Sequence, residues 1–541
     1  MACMRASAQP LPYPRDLVKP QPAEPTRPTV PLIVIPPKPA IRRADGLKID
    51  VEEFRCTGLT VISEAECQAV LKEYVGPDRG FSDLQAAAQA VAEKLKQEGY
   101  FLAQAYLPAQ TVENGVIEIT VLEGRIGKTT AKPERDVPAE DIAVSLPMVN
   151  AMLDTLDGEP IRERNIEEAL FLVGDLRGIS LQSILQPGEQ PGTADLLVNL
   201  SPAPRVAYTV GTDNLGSRFT GEKRVTGSAD WNNPLRRGDS LAVSALTTEG
   251  AGLTFWRLSY LIPVGLGGTK VGGAYSQLAY ELGTSAFGSL DANGSAEVAS
   301  VYLLYPLRRG RNLNLFGTVG FDSRTLDDDL EDLEFPNKRD LDVLTLTLVG
   351  DNQDFAGGSG LNTVSGEVTY GQLDLRSSLR EQIDESEIGR DAEGYYAKLN
   401  ISATRLQRLS DRILGYVALR AQLADRNLDS SEKLSLGGPN AVRAYAEGEA
   451  ASDQAAILTI ELRTPLPPVL RTVPTGSIFL DHGVGRINRF PLSTDEDNSP
   501  DLTAVGLGVA WGRPGEFLVR STLARGDPRE TQFYLQASME F

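Results

Sequence analysis

From Arg205 to Phe541 the chain alternates apolar and polar residues in segments of roughly ten. Side chains of a strand point alternately to its two faces. Within Thr254 to Ile262, Trp256, Leu258, Tyr260 and Ile262 therefore share one face. Leu344, Leu346 and Leu348 do the same within Asp342 to Val349, and Ile457 to Arg463 and Val505 to Trp511 are further examples. Such segments number about sixteen, which predicts a transmembrane antiparallel β-barrel over residues 204–541. The connections also alternate. Asn233 to Gly238, Pro263 to Gly268, Pro306 to Gly310 and Gly512 to Gly515 are short and turn-like. Asp327 to Asp340, Glu381 to Glu393, Ala424 to Ser452 and Thr494 to Asp501 are longer and often acidic. Short periplasmic turns and long outer loops are the pattern of an outer-membrane barrel.

Upstream, the texture is α+β. Residues 49–126 read β-α-α-β-β, with strands at Ile49 to Cys56, Leu102 to Leu107 and Val116 to Glu123. Ser63 and Glu66 have capping-box spacing ahead of a first helix. Leu84, Ala88, Val91, Ala92 and Leu95 lie at helical spacing in a second, from Ser82 to Glu98, stopped by Gly99. Residues 127–203 form another module, with a helix opening at Gly158-Glu159-Pro160-Ile161 and running to Leu176. Its strands are Gly178 to Leu185 and Ala194 to Leu200. Residues 1–48 carry Pro10, Pro12, Pro14, Pro20, Pro22, Pro25, Pro28, Pro31, Pro36, Pro37 and Pro39, and read as an extended linker. Ala6-Ser7-Ala8 fits a signal-cleavage pattern, but Met1 to Arg5 is too short for the segment that should precede it. A late start inside a signal peptide and a chance match both account for it.

Composition narrows the function classes. A net charge of −20 argues against nucleic acid as partner. No apolar run approaches the roughly 20 residues of a membrane helix. With a single His, His482, pointing away from Asp481 on a strand, a Ser-His-Asp device has no base. The three Cys and one His are scattered and make no zinc site. Gly265 to Lys270 lacks the phosphate-loop spacing, and Asp327-Asp328-Asp329 lacks the Gly and Glu of a calcium loop. The chain is expected to be no enzyme and to carry no metal and no cofactor. Cys56, two residues after Phe54, and Cys67, near Val70 and Leu71, both face the first module's core. They are a candidate disulfide in an oxidising periplasm, with two buried free thiols as the alternative.

One stretch departs from the barrel texture. Leu436-Gly437-Gly438-Pro439-Asn440-Ala441-Val442-Arg443-Ala444-Tyr445 cannot be a regular strand, yet it sets one Arg between Val and Tyr. About forty residues on, Phe479, Asp481 and Gly483 share one face of Phe479-Leu480-Asp481-His482-Gly483. An Arg on a loop and an Asp on a lumen-side strand face form a natural buried pair. The loop, near 427–452, is expected to fold into the barrel and be pinned by Arg443 to Asp481.

Gly437-Gly438 with Val442-Arg443-Ala444-Tyr445 resembles the signature loop of two-partner secretion transporters, the haemolysin secretion/activation proteins. Phe479-Leu480-Asp481-His482-Gly483 resembles their F-x-D-x-G motif. The family's loop usually reads V-R-G-Y; Ala444 departs from it, and Ala tolerates positive φ poorly, so the tip is expected to differ. Leu107-Pro108-Ala109-Gln110 with Gly115 and Val121-Leu122-Glu123-Gly124 resembles a first POTRA domain, and residues 127–203 a second. The resemblance implies an outer-membrane pore with its POTRA domains in the periplasm. It would secrete a large haemagglutinin/haemolysin-type exoprotein partner of the TpsA type, held by strand addition and moved without ATP. The runner-up is an outer-membrane insertase of the POTRA-barrel superfamily. In the family an N-terminal helix can plug the pore; no capped amphipathic helix is visible here, although Leu32 to Ile35 has the reach to thread the lumen. The last strand ends at Phe541 with Phe533, Leu535, Ala537 and Met539 on its face, and resembles the signal read by the barrel assembly machinery. Outer-membrane lipid is the expected partner of the barrel's outside.

Overall fold

The computed structural model of the chain describes residues 32–33, 48–282, 292–330, 337–354, 359–386, 389–492, 497–527 and 530–541. The leader pattern and almost all of the Pro-rich linker lie outside the described residues.

The first module pairs Glu53–Thr57 in parallel with Val116–Leu122, and Gln104–Tyr106 antiparallel with the same central strand. Helices Glu64–Leu71 and Phe81–Gln97 cover this sheet. Ser63 and Glu66 cap the first helix reciprocally, each side chain meeting the other residue's backbone N–H. Phe54, Cys67, Leu71, Leu84, Val91, Leu95, Ile117 and Ile119 build the core. Cys56 and Cys67 are joined there as a disulfide.

The second module has its own core around Val149, Leu153, Ile161, Leu170, Val173, Leu196 and Leu200. Its helices are Leu146–Leu153 and Glu163–Gly174. Its sheet runs Leu32–Ile33, Ile179–Pro187, Thr193–Pro202, Arg125–Pro133. Leu32–Ile33 thus pairs in parallel with the outer strand of this module, Leu32 opposite Ile184, rather than threading the lumen.

Sixteen antiparallel strands then close into a barrel. They are β1 (Val206–Asp213), β2 (Arg224–Asn232), β3 (Ser240–Thr248), β4 (Leu253–Pro263), β5 (Lys270–Glu281), β6 (Ala292–Arg308), β7 (Leu313–Leu330) and β8 (Asn337–Asp354), followed by β9 (Gly360–Leu375), β10 (Gly394–Arg408), β11 (Leu414–Ala424), β12 (Gln454–Pro465), β13 (Thr475–Arg486), β14 (Asp501–Arg513), β15 (Phe517–Gly526) and β16 (Thr531–Glu540). β1 pairs with β16 to close the wall, and Tyr208 and Phe541 exchange backbone hydrogen bonds at 2.9 and 3.1 Å. Trp256, Leu258, Leu344, Leu346, Leu348, Val505, Leu507, Phe533, Leu535 and Met539 point outward as an apolar belt. Arg257, Lys398, Gln422 and Asp481 are buried on the inner side. Apolar-out with polar-in is what lipid outside and water inside require.

Two boundaries differ from expectation. β7 and β8 are 18 residues each, so Asp327 to Leu330 and Asn337 to Asp340 belong to a long hairpin rather than to a loop. Acidic residues are tolerated there because the strands outrun the apolar belt.

The second module sits on the first three short turns of the barrel. Arg309, just past β6, meets Asp175 through two nitrogens at 2.6 and 2.9 Å and lies over Phe171 and Phe316. Asn233 donates to the Ala143 carbonyl at 2.7 Å, and Lys270 to that of Asp175 at 2.9 Å.

The disulfide closes a loop of separation 11. Replacing both Cys56 and Cys67 with Ala should lower the unfolding free energy of a residue 48–202 fragment by about 2–3 kcal/mol. Urea denaturation reads this; an unchanged midpoint would show that the cross-link does not constrain the unfolded chain.

Candidate functional site: a loop held inside the barrel

The connection between β11 and β12 turns into the barrel. Its tip is shaped by Gly438 at φ 130° and Gly448 at φ 84°, both left-handed. Ala444 is not among the positive-φ residues, so the position needs no glycine; its side chain is fully buried. Gly437 approaches the Ala446 carbonyl too closely for any side chain, and the Val442 N–H donates to the Leu436 carbonyl at 2.9 Å.

That fold presents Arg443 to β13. Its Nε donates to Asp481 Oδ2 at 2.8 Å and its Nη2 to Oδ1 at 2.9 Å, a bidentate pair. The Arg443 backbone N–H reaches Oδ2 at 3.3 Å, and Thr459 on β12 donates to Oδ1 at 2.9 Å. Asp481 is 0 % exposed, so its charge depends wholly on these donors. Glu461 on β12 lies 3.6 Å from the guanidinium. The Arg443 guanidinium carbon stands 3.3 Å from the centre of the Phe479 ring, a stacked cation–π contact.

The other motif residues are spacers and anchors. A Cβ on Gly483 would come within 2.8 Å of Val442 and 3.3 Å of Leu436. Only a bare backbone lets the loop lie flat there. The Tyr445 hydroxyl stands 2.9 Å from the Asp527 carbonyl and accepts from the Asp527 N–H at 3.2 Å. The structure thus gathers Arg443, Asp481, Phe479, Gly483, Val442 and Tyr445 into one cluster, with Leu436 and Ala441 in its apolar part. Gly437 and Gly438 shape the loop behind it. Phe541 lies apart, at the β1–β16 seam, with its side chain 70 % exposed on the outside. His482 points outward, with Nδ1 2.9 Å from the Thr503 hydroxyl.

Sequence reasoning missed two glycines. Gly506 on β14 leaves room for the Phe479 ring, and a Cβ on Gly526 would meet Tyr445 at 2.9 Å. Gly506 lies opposite Phe479 in the β13–β14 register, which strand pairing would have revealed, whereas Gly526 meets Tyr445 from the loop, which no register connects.

This geometry, a barrel with a stitched internal loop, can now be set beside known proteins. A family model described as haemolysin secretion/activation protein ShlB/FhaC/HecB matches residues 192–511. The chain belongs to this family. A second model, POTRA domain, ShlB-type, matches residues 49–124, the first module. The heme/hemopexin transporter protein HuxB of Haemophilus influenzae (strain 86-028NP) is 27 % identical over 469 residues, covering 85 % of this chain and 80 % of HuxB. The outer membrane transporter CdiB of Escherichia coli O6:K15:H31 is 25 % identical over 439 residues, covering 80 % and 72 %. A solved CdiB structure from Escherichia coli has a TM-score of 0.75 at 22 % identity, covering 95 % of this chain and 94 % of that one, and shares the fold. This family member is an outer-membrane secretion transporter, with its POTRA region in the periplasm.

The pair can be tested through the loop it holds. Truncating either member of the Arg443–Asp481 pair strands the other charge, at about 3–5 kcal/mol for a well-buried pair and less in a wet lumen. Arg443→Ala and Asp481→Ala should leave a folded barrel and strongly reduce exoprotein secreted per barrel. The double variant should lose less than the sum of the singles. Arg443→Lys should also fail, since a point charge cannot reproduce the fork or the stacking. Wild-type secretion by either Ala variant removes the pair from the mechanism.

Proposed function

We propose that the chain exports one large haemagglutinin/haemolysin-type exoprotein, with both α/β modules acting as POTRA domains that hold the unfolded cargo. The carrying observation is the loop pinned by Arg443 to Asp481 inside a closed barrel whose base is joined to two α/β modules. Cargo enters as an extended strand, passes the lumen once the loop yields, and folds outside. Folding outside supplies the drive, so no ATP is needed. Strand addition needs a free sheet edge. Among the described residues, Glu53–Thr57 and Gln104–Tyr106 are edges without a further partner strand, whereas the Arg125–Pro133 edge is bonded to residues 157–160 and Asn150. The insertase reading gains no separate observation: two modules and the Gly437-Gly438 loop fit secretion.

A fragment of residues 49–202 should bind the N-terminal region of the partner exoprotein at micromolar affinity or better. Calorimetry measures it, and no heat with a correctly folded fragment argues against strand capture. Phe541 acts earlier, in assembly. Its deletion should lower the amount of heat-modifiable barrel in the outer membrane. An unchanged barrel level with reduced secretion would instead place Phe541 in transport.

A further inference from the structure

The loop has a second charged attachment, on another part of the wall. Asp429, at the loop's entry, accepts from Arg339 of β8 at 2.7 Å. Arg339 also pairs with Asp328 of β7. Three residues on, Glu432 accepts from Arg324 of β7 at 2.7 Å and pairs with Lys398 of β10. Glu432 is 1 % exposed, Lys398 4 % and Arg339 5 %. Asp429 is oriented by Ser431, whose N–H and hydroxyl donate to it at 2.9 and 2.7 Å. The Gln422 amide of β11 donates to the Glu432 carbonyl at 3.1 Å, which fixes the backbone at this point.

Strand order separates these contacts from the Arg443 site, with Arg324 on β7 six strands and Lys398 on β10 three strands from Asp481 on β13, and sets them farthest from the Tyr445 anchor. Arg324 lies on β7, and Tyr445 meets Asp527 just past β15. Strands eight apart in a sixteen-strand ring stand on opposite walls. The loop is therefore a strut fixed at both sides of the lumen. Fixing one end of a loop leaves the rest free to swing, whereas fixing two ends holds it across the passage.

We propose that Asp429 and Glu432 are positioning residues for transport: with Arg324, Arg339 and Lys398 they form a second lock that keeps the loop across the lumen. The inference deepens the secretion reading and rests on it, but the lock itself is read by ion flow, without cargo. Asp429→Asn/Glu432→Gln keeps the side-chain shapes and removes both negative charges, leaving Lys398 facing a neutral amide while Arg324 and Arg339 retain only their wall partners Asp322 and Asp328. In planar bilayers in potassium chloride its open fraction should rise about tenfold or more over wild type, with a folded, heat-modifiable barrel. Arg443→Ala should also raise it, and the combined variant more than either.

A second variant separates loop release from general damage. Lys398→Cys/Glu432→Cys should show the raised conductance, and a short bifunctional thiol reagent should return it to the wild-type level by tying the same two positions. A merely structural role would give no such rescue. Wild-type conductance in Asp429→Asn/Glu432→Gln, or raised conductance that cross-linking leaves unchanged, overturns the second lock. If wild type secretes no exoprotein, the transport reading fails while the lock is still decided by conductance.

Discussion

A charge without solvent contact has to be paired where it stands, and Asp481 is such a charge. Its carboxylate receives the Arg443 fork, the Arg443 backbone N–H and the Thr459 hydroxyl. The Arg443 donors exist only while the loop is in the lumen. Withdrawal of the loop exposes Asp481 to whatever water the lumen admits, so loop position and lumen hydration are linked through one residue. The same constraint acts on the loop's backbone, which has no regular sheet to satisfy it. Gln422 answers part of it, with one amide nitrogen within 3.1–3.4 Å of the Glu432, Asp453 and Ser452 carbonyls. Lys433 pairs with the fully buried Asp453 at 3.0 Å and donates to Asn488 at 2.9 Å.

Close approach follows from small residues rather than from attraction. Gly483, Gly506 and Gly526 open the inner wall where Val442, Phe479 and Tyr445 press on it. The Phe479 ring is thereby held against the sheet and offers its face to Arg443. Stacking on an aromatic face suits the planar, weakly hydrated guanidinium, so the pair tolerates a site that would disfavour an ammonium.

Much of this was legible in the chain because period-2 alternation is set by burial on one face of a strand. Counting segments placed the loop between the eleventh and twelfth strands, where it lies. Arg443, Asp481, Phe479 and Gly483 were legible because an Arg among glycines and an Asp on an inner face are both unusual. Asp429 and Glu432 were not: in an acidic outer loop a carboxylate looks solvated, and their partners on β7, β8 and β10 are distant in sequence. Helix Leu146–Leu153 escaped for another reason. Its residues are nearly all apolar, so it has no amphipathic period to detect. Ala444 shows the converse error, in which a motif's usual glycine suggested a backbone strain that this position does not carry.

The base of the barrel is built differently from the loop. Arg309 is 2 % exposed, holds Asp175 in a bidentate pair and also donates to Asn314 at 2.6 Å. Arg236 reaches the Glu140 and Ile142 carbonyls at 2.9 and 3.0 Å, and Arg311 pairs with Glu167 at 2.8 Å. These contacts run through separate short turns, and several end on backbone carbonyls that cannot swing away. Moving the second module would break them together. The loop's ion pairs are between side chains, and they divide into clusters on separate strands that can be broken one at a time. Stepwise release costs less at each step than a concerted one, which favours the loop over the base as the part that can rearrange.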